Sequence, residues 1–280
     1  MSKMSWALLV VLAAGNILLV ATTPRQKAWD ILQTGAAEKS VEKRSEAIHA
    51  LGLLPHNNRA KEMAEEALDD SKPEVRAAAA TALGDMQSRS SIRKLTETLS
   101  DRDPAVVLAA AHSLLALRDH AAYSVYYAVL TGQRKAGEGV FADERKMVQD
   151  PKKLAEFGVE TGLGFVPFGG IGMSAVKILT KDDSSRVRAA AARILAKDPD
   201  PESRDALVEA LSDRSWVVRV AALEAIASRG NPRLLVDVEA SMDDAKDAVQ
   251  YTAAAAVIRL SGARSSPALQ SRLARQVSTR

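Results

Sequence analysis

Five valines stand in step along the chain: Val75, Val106, Val187, Val218 and Val249. Val75 to Val106, Val187 to Val218 and Val218 to Val249 are each 31 residues, and an aspartate stands five residues before each valine (Asp70, Asp101, Asp182, Asp213, Asp244). A fixed period of this length restricts the chain to an array of similar supersecondary units. A degenerate earlier copy, KRSEAIHALG, places Lys43 at the valine position. Four residues after the anchor, every copy has alanine: Ala47, Ala79, Ala110, Ala191, Ala222 and Ala253. Eight residues after it stand Leu51, Leu83, Leu114, Leu195, Ile226 and Val257. These positions share one face of a 3.6-residue helix, so each copy holds an amphipathic helix of about three turns.

The alanines let neighbouring helix axes approach closely. A bulky replacement such as Ala191→Leu is therefore expected to cost about 1–3 kcal/mol by overpacking. A second helix precedes each of these, in SSIRKLTETLSD, PESRDALVEALSD and NPRLLVDVEASMDD. Pro73 and Pro104 fall where the second helix of a pair begins, the position that tolerates proline because its amide needs no partner. The recurrent aspartate reads as a turn residue that accepts from the free amides there.

The pattern D-x-x-x-x-V-R-x-A-A-x-x-x-L, carried by Asp70, Val75, Arg76, Ala79 and Leu83, recurs with Asp182, Val187, Arg188 and Leu195 and with Asp213, Val218, Arg219 and Ile226. It resembles the short HEAT-like repeats of the phycobilisome (bilin) lyase type, over roughly residues 27 to 132 and 173 to 262. That resemblance implies an all-α fold, a right-handed α-solenoid of about six to seven helix pairs. It also implies a ladder of bonds between neighbouring repeats through Asp70, Arg76, Asp182, Arg188, Asp213 and Arg219. Val107 and Gln250 replace the arginine, so the ladder is expected to break at those two repeats.

Between Val106 and Val187 the rhythm fails: 81 residues are two periods and 19 more. The extra stretch contains GLGFVPFGGIG (162 to 172) and all four phenylalanines of the chain. A phosphate-binding loop would need a strand before it and GK[ST] within it, and neither is present. Two readings stay open: a partner-binding loop using Phe165 and Phe168, or a local core joining the two halves of the solenoid.

Residues 6 to 21, after Lys3, form an uncharged apolar run with the layout of a secretory signal peptide, although Pro24 disfavours cleavage beside it. The expected organisation is thus a signal peptide or membrane anchor (1–23), N-terminal repeats (24–132), an insertion (133–172), C-terminal repeats (173–262) and a basic capping segment (263–280). The protein is expected to be exported to the periplasm or beyond, or held to a membrane only by residues 1–23.

Basic and acidic residues, 38 against 35, are well mixed, which argues against nucleic acid as a partner. The chain lacks cysteine, which removes disulfides and thiolate chemistry. The four histidines show no metal-ligand spacing, and no convergent acid–base set is legible, so neither a cofactor nor catalysis is expected. His49, Thr81, His112, Arg193, Glu224 and Ala255 share a column six after the anchor, away from the valine face. With Leu108, Val220 and Tyr251 they are expected to line an inner surface. Partner recognition is accordingly expected at Leu108, His112, Arg193, Val220, Glu224 and Tyr251, with Phe165 and Phe168 as a second contact. The expected function is a non-enzymatic scaffold binding another protein; the alternative, implied by the resemblance, is an enzyme accessory or bilin-lyase-like protein.

Overall fold

In the computed structural model residues 23–130 and 184–264 are described. Asp182, Phe165, Phe168, the apolar run near the N-terminus, the insertion and residues 265–280 lie outside them. The described residues form helices and short 3-10 turns. In chain order the helices are α1 (Pro24–Ala36), α2 (Val41–Ala50), α3 (Asn58–Ala67), α4 (Pro73–Asp85), α5 (Ile92–Thr98), α6 (Pro104–Ala116) and α7 (Ala121–Leu130). After the insertion come α8 (Ser185–Leu195), α9 (Pro201–Glu209), α10 (Trp216–Arg229), α11 (Leu235–Glu239) and α12 (Asp247–Arg264).

Helix starts follow the sequence rules. Pro24, Pro73, Pro104 and Pro201 each occupy the first turn of a helix, where the missing amide costs nothing. Asp103 caps α6 by accepting from the Ala105 amide at 2.8 Å, and Asp200 caps α9 through Glu202 at the same distance. The C-terminus of α10 closes on Gly230, whose φ of 64° is the left-handed conformation that favours glycine.

The repeated valine helices α2, α4, α6, α8, α10 and α12 pack on one another as one row of the stack, and α3, α5, α9 and α11 each lean on the valine helix that follows. Val75, Val106, Val218 and Val249 are buried, as are Ala47, Ala79, Ala110, Ala222 and Ala253. The close approach is visible where Gly84 of α4 meets Ser113 of α6: a Cβ on Gly84 would overlap that side chain, and the Ser113 hydroxyl donates to the Ala80 carbonyl at 2.8 Å. α8 departs from the expected pattern. Val187 is 47% exposed and Ala191 is exposed, because α8 stands at the end of the described stack, with α10 on one side of it. The overpacking expected of Ala191→Leu therefore does not apply at that position.

The order of stacking is not the order of the chain. α8 packs on α10, α10 on α12, and α12 on both α1 and α2, which continue through α4 and α6 to α7. The C-terminal half thus precedes the N-terminal half in the array, and one apolar cluster runs through both from Ala28 to Leu260. Three polar links fix this junction: Lys27 to Asp243 at 2.6 Å, Lys43 to Asp247 at 3.2 Å, and the Arg259 guanidinium donating to the Leu53 carbonyl at 2.8 Å. Periodicity carries no information about such a junction, since each repeat matches its neighbours equally well in either order.

Candidate functional site: the ladder and the inner face

Two sets of polar side chains recur on the valine helices, and their geometry separates them. The first is the ladder. Arg76 donates to both carboxylate oxygens of Asp101 at 2.7 and 2.8 Å, Arg188 to Asp213 at 2.8 and 2.9 Å, and Arg219 to Asp244 at 2.8 Å twice. Each arginine thus reaches the aspartate of the following repeat. Arg44 does the same to Asp70 at 3.0 and 3.1 Å, a rung missed by the sequence reading although Arg44 follows Lys43 as Arg76 follows Val75. The aspartates also hold the turn, Asp101 accepting from the Asp103 amide and Asp213 from Ser215, each at 2.8 Å.

Among the described residues Val107 and Gln250 make no such rung. Twenty-five residues beyond Val107, where an acceptor would stand, the sequence has Gly132, and beyond Gln250 it has Arg275. Val107 is buried with Ala111 and Val125 instead. Among the described residues Gln250 has only the bond within its repeat, donating to the Asp244 carbonyl as Arg76 does to the Asp70 carbonyl. Burial opposes ionisation at Asp70, Asp101 and Asp244, but the arginine and amide donors outweigh it. At Asp213 the Arg188 bond is the largest influence, and all four carboxyls are held below their ordinary range.

The second set belongs to the columns expected to line the inner side. Asp85, at the C-terminal end of α4, is exposed. Crowding by the protein raises its pKa, Glu224 adds to the rise, and His49 and His112 work against it. Asp85 of α4 is thus within electrostatic reach of groups on α2, α6 and α10. The Asp85 carboxylate lies beside Gly52, where a Cβ would come within 3.2 Å of its oxygen. Arg193 of α8 extends the row by pairing with Glu224 at 3.2 Å.

Of the side chains expected to meet a partner, His112 and Arg193 are exposed, and Leu108, Val220 and Glu224 are half-buried. Tyr251 is a correction. It is buried, its ring lies against Gly35 of α1 and Ala47 of α2, and it belongs to the junction between the halves. Burial, then Asp247, Glu38 and Glu46, push its phenol up to about 12. Thr81 and Ala255 of the same column are buried as well, so α4 presents Asp85 in place of Thr81. Asp85 was not legible in the sequence, because its column contains unrelated residues in the other copies: Leu53, Ala116, Lys197, Ser228 and Arg259. Among the described residues no group of three or more His, Cys, Asp or Glu is placed to hold a metal ion.

No curated protein matches the chain. Solved structures similar to it include human deoxyhypusine hydroxylase in complex with glycerol (19% identity, 85% of this chain and 97% of that one, TM-score 0.34). The complex of CpcE and CpcF of phycocyanin lyase from Nostoc sp. PCC7120 is similar at 20% identity, over 84% of this chain and 94% of that one, with a TM-score of 0.33. An engineered protein is similar at 18% identity, over 84% and 97%, with a TM-score of 0.27. Likeness at this level carries no inference about activity. A family model described as HEAT repeats matches residues 60–131 and 174–259, the two stretches that carry the aspartate, valine and alanine pattern, and the chain belongs to the HEAT repeat family.

Proposed function

We propose that this protein is a non-enzymatic scaffold that binds a protein partner on the inner face of its valine helices. The observation that supports this is that polar side chains of several repeats are left at the surface of the valine helices, His112 and Arg193 exposed and Glu224 half-buried, with Asp85 of α4 in electrostatic reach of His49, His112 and Glu224. Polar side chains gathered from several repeats suit recognition of an extended partner, the use to which solenoid surfaces lend themselves. Residues 1–23 would direct export or hold the scaffold to a membrane. Among the described residues no helix is long and apolar enough to cross one.

Photo-crosslinking residues placed at Leu108 and His112 of the full chain, and at Val236 on the outer helix α11 as control, test the assignment in native cell-envelope extract. Val236 is 69% exposed, so accessibility alone would favour the control. The same discrete adduct from both inner positions, and not from Val236, is the expected result. Equal labelling at Val236 would contradict it. The purified protein is expected to lack tetrapyrrole absorbance; a bound pigment would favour the enzyme-accessory reading in its place.

A further inference from the structure

The half-buried arginines of the described stack follow one rule, with one exception. Arg44, Arg76, Arg188, Arg204 and Arg219 each hold an aspartate, and Arg229 donates to the carbonyls of Leu195, Asp198 and Asp200. Arg259 of α12 is half-buried too, yet it makes one bond, to the Leu53 carbonyl at 2.8 Å, and among the described residues no carboxylate stands within ion-pair distance of it. A guanidinium has several N–H donors in a fixed fork, so most of the donors of Arg259 are left for an acceptor from outside the fold. Burial alone pushes its pKa down, the direction for a cation drawn from water with no anion beside it. Arg259 stands ten residues after Val249, in a column with Leu53, Asp85, Ala116, Lys197 and Ser228. Leu53 is half-buried and the other members are exposed, so the column is open to solvent along the stack. Because α10 packs between α8 and α12, Lys197, Ser228 and Arg259 follow one another there, two cations with a hydroxyl between them.

We propose that Arg259, with Lys197 two valine helices away, reads carboxylates on the partner of this scaffold, and that the partner segment is extended and acidic. The proposal rests on the scaffold reading for the partner being a protein. A guanidinium fork grips both oxygens of one carboxylate, and its partial burial makes that bond stronger than a contact with an exposed lysine. Neighbouring helix axes lie about 8–10 Å apart, which puts Lys197 and Arg259 about 16–20 Å apart along the row. An extended chain advances about 3.3 Å per residue, so two carboxylates that meet both cations stand about five to six residues apart. Arg193, on the same helix as Lys197, is already held by Glu224 and adds less. Further along the column, beyond α2, the exposed Asp85 ends the cationic run and repels an acidic chain. The acidic part of the partner therefore belongs over α8, α10 and α12 and not over α4.

The test uses the purified full chain and two blocked synthetic peptides: one with two glutamates separated by a serine spacer of about five residues, the other with glutamine in place of both glutamates. The side-chain Nε–H resonance of Arg259 is followed by NMR during titration at low salt, with that of the exposed Arg233 as control. The glutamate peptide is expected to shift Arg259 saturably, to leave Arg233 nearly unmoved, and to bind about tenfold more tightly than the glutamine peptide. Arg259→Lys keeps the charge and loses the fork, and should weaken the glutamate peptide about fivefold, while Arg259→Met should erase the difference between the peptides. Lys197→Ser, at an exposed position, should weaken the glutamate peptide about threefold. Equal affinity for the two peptides, a shift at Arg259 no larger than that at Arg233, or undiminished binding by Arg259→Lys would overturn the proposal. Should Arg259→Met not fold, the Arg259 resonance of the unaltered chain and the Lys197→Ser variant decide. Failure here with the crosslinked adducts at Leu108 and His112 intact strikes this proposal alone; loss of those adducts strikes the scaffold reading.

Discussion

Removing the Arg76 guanidinium tests what the ladder contributes. Arg76 and Asp101 are 17% and 13% exposed, and Arg76 makes three bonds: two to Asp101 and one, at 2.9 Å, to the Asp70 carbonyl. An exposed ion pair contributes about 0–1 kcal/mol, whereas stripping one partner from a fully buried pair costs about 3–5 kcal/mol. This pair lies between those limits, and Asp101 keeps the Asp103 amide when the arginine is gone. Arg76→Ala is accordingly expected to destabilise by about 2–3 kcal/mol, with a coupling to Asp101 of about 1–2 kcal/mol in a double-mutant cycle. The assay is urea unfolding followed by circular dichroism, with the exposed pair Arg93 and Glu97, 78% and 62% accessible, as control at about 0.3–0.5 kcal/mol. Because the Asp101 carboxyl is held below its ordinary 3.8, the contribution is present above that value and is lost as the pH falls through the lower folded one. The coupling should therefore disappear in strong acid. A coupling no larger than that of the control pair, or one that survives full protonation, would refute the reasoning.

Position along the stack should decide the fate of identical substitutions. Ala110→Leu, at a fully buried contact, is expected to cost about 1–3 kcal/mol, and Ala191→Leu, on the exposed face of α8, less than about 0.5 kcal/mol; thermal unfolding of the two variants checks this. Two helical glycines should respond with opposite signs. Gly84→Ala gains helix propensity of about 1 kcal/mol but drives a methyl into Ser113, including its backbone, so net destabilisation is expected. Gly262→Ala meets nothing within 4 Å and should stabilise by about 0.5–1 kcal/mol in the same urea assay.

The helices, their starts and most of the ladder were legible because each repeats a local rule. Proline at the first turn, alanine at the close contact and aspartate at the turn act within one repeat or between immediate neighbours, so periodicity displays them. Even the ladder's interruptions at Val107 and Gln250 could be read, since the missing arginine leaves its mark in the same column. Three features were not legible, and each depends on contacts between distant repeats. Tyr251 shares its column with side chains elsewhere in the array but lies buried, because α1 and α2 cover it. Asp85 of α4 feels Glu224 of α10, a helix that is not its neighbour in the chain. Val187 occupies the same repeat position as Val218, yet one stands at the end of the described stack and the other inside it. The repeat pattern specifies how neighbours pack and leaves open which repeats are neighbours.

That question of order is the centre of the account, and zero-length carbodiimide crosslinking of the unmodified protein addresses it. The reagent joins an amine to a carboxylate only when the two already touch. Lys27 and Asp243, at 2.6 Å and 216 residues apart in sequence, should give an abundant intramolecular crosslinked peptide by mass spectrometry, with Lys43 and Asp247 as a second. Recovery of both from monomeric protein is the predicted result; their absence, with Lys94 still joined to Glu65 inside the N-terminal half, would contradict the stacking of α12 on α1 and α2.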